Sequence, residues 1–94
     1  MNNVARRYVK RTKTTLFVNI VLNFNVSTLS HGETILTFNG VVIDSPIDYF
    51  AFSETTGTRI KIYTQAGESR LIVSGETTNV NGFYDFNLAL PIRN

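Results

Sequence analysis

The sequence predicts an all-β domain, a small antiparallel barrel or sandwich of seven or eight short strands. Three observations carry that expectation. Leu16, Val18, Ile20, Leu22, Phe24 and Val26 occupy every even position of one stretch, with Asn19, Asn23 and Asn25 on odd ones. Side chains of a pleated strand alternate between faces, so period two marks a half-buried strand. Turn signals then recur about every 8 to 12 residues, the spacing of sandwiches and barrels. No segment carries the i, i+3, i+4 stripe of an amphipathic helix.

The elements follow in order. The long strand covers residues 15–26 and is interrupted by Ser30-His31-Gly32. Thr34 to Phe38 ends at Asn39-Gly40, and Val41 to Ile43 is closed by Asp44-Ser45-Pro46. Asn-Gly accepts positive φ at low cost and Pro fixes φ at about −65°, so both are turn signals with a mechanism. Tyr49 to Glu54 sets Phe50 and Phe52 on one face, and Thr55-Thr56-Gly57 leads into Arg59 to Gln65. There Ile60 and Ile62 face inward, opposite Arg59, Lys61, Tyr63 and Gln65. Ala66-Gly67 makes a compact hairpin to Ser69–Ser74, in which Leu71 and Val73 share one face and Ile72 takes the other. Gly75 to Gly82 is a polar loop. The last strand, Phe83 to Leu90, turns Tyr84, Phe86, Leu88 and Leu90 inward and Asp85 and Asn87 outward, and Pro91 ends it. The expected aromatic core is Phe24, Phe38, Phe50, Phe52 and Phe86.

At 94 residues the chain makes one domain, residues 1–94, and so small a domain buries only about 60 to 65% of the surface its unfolded chain exposes. It has no Cys, hence no disulfide or thiolate metal site to staple a thin core, and oligomerisation is the natural remaining source of buried apolar area. Phe17 and Val21 lie on the polar face of the long strand, which is therefore expected to be covered by a second sheet or a partner chain.

Charged residues make up 17% of the chain, against about 25% in ordinary domains, and Thr, Asn and Ser fill the surface instead. Such a surface hydrogen-bonds without a strong long-range field, which suits neutral ligands such as sugars. The net charge of +2 is unevenly spread. Arg6, Arg7, Lys10, Arg11 and Lys13 precede the first acid, Glu33, beyond which acids outnumber bases. This basic start suits either a grip on phosphates or a plain solvated strand or linker. No apolar run fits a signal peptide or a membrane span.

Enzyme chemistry finds no support. The single His31 sits in a turn without ligands at metal-site spacing. No Ser has a nucleophile context, and the six glycines are scattered through turns rather than gathered into a phosphate loop. Asp44 and Asp48 flank Pro46, where Asp44 is better placed to cap the turn than to work as an acid or base. Tyr63, among Arg59, Lys61 and Gln65, is a workable sugar platform, because its ring packs on sugar C–H faces while the hydroxyl fixes orientation. An ordinary exposed cross-strand tyrosine fits the same pattern.

Tyr8 to Val26 as an opening strand pair, Gly57-Thr58-Arg59-Ile60-Lys61-Ile62-Tyr63 through Ala66-Gly67-Glu68, and the closing Gly82-Phe83-Tyr84-Asp85-Phe86-Asn87-Leu88 come in an order that resembles one family. That family is the receptor-binding head domains at the tail and baseplate tips of lactococcal siphophages. The resemblance implies a jelly-roll-like β-barrel, the C-terminal piece of a longer protein, assembled as a homotrimer. It implies a virion protein made in the host cytoplasm and joined to other baseplate or tail proteins through missing N-terminal domains. The head would bind a saccharide of the bacterial cell envelope, without cofactor, metal, catalysis, nucleic acid or membrane insertion. The candidate saccharide-binding residues are Arg59, Lys61, Tyr63, Gln65, Asp85 and Asn87, with His31 and Asp44 bordering them from a neighbouring protomer. Two alternatives stand beside this one. They are a structural virion or tail subunit without receptor activity, and a nucleic-acid-binding β-barrel using the basic start with Tyr8 and Phe17.

Overall fold

The structure is a computed structural model that describes residues 2–93, with side chains from Arg7 onward. Nine strands are found among these residues: β1 Asn2–Arg11, β2 Thr15–Phe24, β3 Thr28–Leu29, β4 Thr34–Thr37, β5 Asp48–Phe52, β6 Arg59–Tyr63, β7 Arg70–Val73, β8 Thr77–Thr78 and β9 Gly82–Pro91. Seven form one antiparallel sheet in the order β1-β2-β9-β5-β6-β7-β4, and β3 pairs with β8. The large sheet curls into a half-barrel, the small all-β fold that the alternation predicts.

The period-two pattern of β2 is realised side by side with that of β9. Leu16, Val18, Ile20 and Leu22 lie opposite Leu90, Leu88, Phe86 and Tyr84 in register, and all eight are buried. The basic start is a strand, β1, whose described residues from Arg7 are exposed; the Arg6 side chain lies outside the described residues. The β1–β2 turn is tied by Thr12, whose Oγ1 accepts the Thr15 N–H at 3.1 Å. The Ala66-Gly67 hairpin forms as expected, with Gly67 at φ 88°, a left-handed conformation that glycine adopts without a Cβ penalty.

Three expectations are revised. Phe50 and Phe52 share a face, but it is the outward one, where they are 54% and 46% exposed. The inward positions of β5 belong to Tyr49 and Ala51, followed by Ser53 just beyond its end. The reason is volume. Phe24 packs edge-on against Tyr84 with ring centroids 5.3 Å apart, and Phe86 lies 6.5 Å from Phe24 and 6.3 Å from Tyr49. These rings fill the interior, leaving room for only the fully buried Ala51 and Ser53. A one-residue slip would drive two phenyl rings into a packed core. Residues 41–43 form no strand and contribute one bridge, Ile43 to Ile92. The polar loop 75–82 contains the short strand β8. Ile72 faces away from Leu71 and Val73 as expected, yet is as buried as they are.

Among the described residues, the buried Tyr84 hydroxyl has no hydrogen-bond partner. An unpaired buried hydroxyl carries its desolvation cost with no return. Tyr84→Phe is therefore expected to leave the fold unchanged and raise its unfolding free energy by about 1 kcal/mol. Urea denaturation reads this directly, and a loss of stability would show that the hydroxyl has a partner.

Candidate functional site

Strand order decides what the outward face presents. β5 lies between β9 and β6, so the candidate residues of β6 and β9 share a face but are separated by one strand. Asp85 of β9 lies opposite Phe52, and Phe52 opposite Arg59. One step along, Phe50 lies opposite Lys61. The missing centre of the patch is thus a pair of phenylalanines flanked by the polar groups. The Arg59 guanidinium carbon stands 5.5 Å and the Lys61 ammonium 5.8 Å from the Phe50 ring centre. Each such exposed cation–π contact contributes about 0.5–1 kcal/mol and holds the long side chain over the ring.

Tyr63, at the far end of β6, is half-buried and stacked on His31, with ring centres 6.2 Å apart and planes 20° from parallel. The His31 Nδ1 accepts the Gly75 N–H at 2.8 Å, which fixes the ring orientation and leaves Nε2 as the edge available to solvent. His31 therefore borders the patch from its own chain, where a neighbouring protomer was expected to supply it. Asn87 is exposed on β9, and its backbone N–H reaches the Tyr49 hydroxyl at 3.0 Å. Gln65 lies beyond β6, exposed in the turn whose Gln65 carbonyl accepts the Glu68 N–H. Asp44 does not use its carboxylate to cap the local turn: Oδ1 accepts from Arg93 Nε at 3.4 Å, and its backbone N–H donates to the Pro91 carbonyl.

The same face continues onto β2 and β1. Val21 lies opposite Asp85, Asn19 opposite Asn87 and Tyr8, and Phe17 opposite Lys10. Phe17 is 43% and Tyr8 62% exposed. The face therefore carries aromatic groups on β5 and on β1 and β2, with the polar Asp85 and Asn87 of β9 between them. Among the described residues, no group of three or more His, Asp or Glu is gathered as a metal site. No helix among them is long and apolar enough to cross a membrane.

No family model, curated protein or solved structure matches this chain.

Phe50 and Phe52, which the sequence pattern assigns to the core, are thus added to the candidate patch by strand order.

Proposed function

We propose that this domain is a phage host-attachment head that binds saccharides of the bacterial cell envelope through the outward face of β9, β5 and β6. The observation that carries the proposal is the exposed Phe50–Phe52 pair bracketed by Arg59, Lys61, Asp85 and Asn87. Sugars offer apolar C–H faces and adjacent hydroxyls at their edges. Exposed rings accept the former, while carboxylate, amide and guanidinium groups fork onto the latter. Rigid strands present both with little ordering cost.

Purified domain should bind immobilised envelope polysaccharide of a susceptible host and block adsorption of the phage that carries it. Asp85→Ala should weaken binding at least tenfold while unfolding free energy stays within about 1 kcal/mol, the usual range for a surface site. Adsorption that is unchanged by saturating domain would exclude a receptor role. Binding to a neutral saccharide should also be nearly indifferent to salt. A phosphate grip by Arg7, Lys10, Arg11 and Lys13 would instead weaken steeply between 50 and 200 mM, by about 10²-fold for four phosphate contacts.

We further propose a homotrimer, in which the β1–β2 end of the face, with Tyr8, Phe17 and Val21, meets neighbouring protomers. Single sugar sites are weak, and linking three raises avidity through effective concentration. Light scattering at micromolar concentration should give a trimer mass; a 10.6 kDa species would contradict this.

A further inference from the structure

The large sheet has two edges, β1 and β4, and among the described residues neither has a second strand partner in it. The curl brings these edges to the two sides of one cleft of about 270 Å³. Arg7 and Val9 of β1 line one wall, and Leu36, Thr37, Phe38 and Asn39 line the other. Its floor is core: Leu16, Ile20 and Val41 are all buried. Among the described residues, one hydrogen bond spans the seam, from Arg11 Nη1 to the Gly40 carbonyl at 3.0 Å. The half-barrel is thus clasped at one point and open beside it.

An open edge is a template for another strand, and proteins ordinarily cover or blunt it. Here two edges face a common gap above an apolar floor. A cleft this size falls just below the range of about 300–1,000 Å³ that holds drug-sized ligands, and suits a few side chains entering from above. The charge around it is one-sided. Arg7 stands on the wall and Arg11 spans the seam beside it, and among the described residues no acidic one lines the cleft.

We propose that the β1–β4 seam binds an extended segment of another polypeptide, with alternating apolar side chains directed into the cleft and acidic residues beside Arg7 and Arg11. Strand addition supplies the backbone hydrogen bonds, the alternation of the pleat sends every second side chain to the floor, and the carboxylates meet the guanidinium groups. The seam is distinct from the outward face, which lies on the opposite side of the sheet.

A displayed random octapeptide library selected against the folded domain provides the test. Peptides with apolar residues at alternate positions and Asp or Glu near one end should be enriched, and their amide NMR perturbations should centre on residues 7–11 and 36–41. Arg7→Glu and, separately, Thr37→Glu alter exposed residues of the two walls and should each weaken the selected peptides at least tenfold without lowering Tm. Three results would overturn the proposal: no enriched peptide, enriched peptides that bind both variants as well as wild type, or perturbations confined to the outward face. Self-association that is lost in Arg7→Glu, with no peptide selected, would assign the seam to a second copy of the chain and equally overturn it.

Discussion

Phe24→Ala is expected to reduce the unfolding free energy by about 3–5 kcal/mol. Phe24 is fully buried and its ring meets both Tyr84 and Phe86, so its removal leaves a cavity walled by rings already in contact with other neighbours. A chain of this length has about 5–14 kcal/mol of stability in total, and the variant should melt about 15–30 °C lower. Phe52→Ala removes the same phenyl group from the outward face and should cost less than about 1 kcal/mol. Urea unfolding of the two variants therefore tests the face assignment of β5 as well as the core. Equal losses at both positions would place Phe52 inside.

The second large effect is on binding. The Phe50→Ala, Phe52→Ala double variant should weaken saccharide binding about 30- to 100-fold, since each ring contributes about 1–1.5 kcal/mol of contact. Phe50 also orients Arg59 and Lys61 through its ring face, so the single Phe50→Ala change should weaken binding more than Phe52→Ala does. Titration calorimetry with a purified envelope saccharide measures all three. Retention of full affinity by the double variant would move the site off this face.

The main sheet was legible because β2 and β9 are long and strictly alternating. Leu16 to Leu22 and Tyr84 to Leu90 could face inward in only one phase. β5 is short and apolar on both faces, so Tyr49-Phe50-Ala51-Phe52 has no phase that hydrophobicity alone prefers. The choice was made by the space that Phe24, Tyr84 and Phe86 leave, a tertiary property invisible in a local pattern. The outward placement of Arg59, Lys61, Tyr63, Asp85 and Asn87 followed from alternation on β6 and β9. The placing of Phe50 and Phe52 between them did not, because nothing in the sequence says that β5 is inserted between those strands. His31 was separable from the other turn residues only once the fold set it on Tyr63. The facing of β1 and β4 across one seam likewise depends on strand order and curl, which arise from pairing between segments far apart in the chain.

The central claim is that the outward face of β9, β5 and β6 takes a saccharide. The most direct test is an NMR titration of the labelled domain with the envelope saccharide that it binds best among those of susceptible hosts. The expected shifts centre on Phe50, Phe52, Arg59, Lys61, Asp85 and Asn87 and are abolished in the Phe50→Ala, Phe52→Ala variant. Shifts confined to Arg7, Lys10 and the β1–β4 seam, or no shift with any host saccharide, would contradict it.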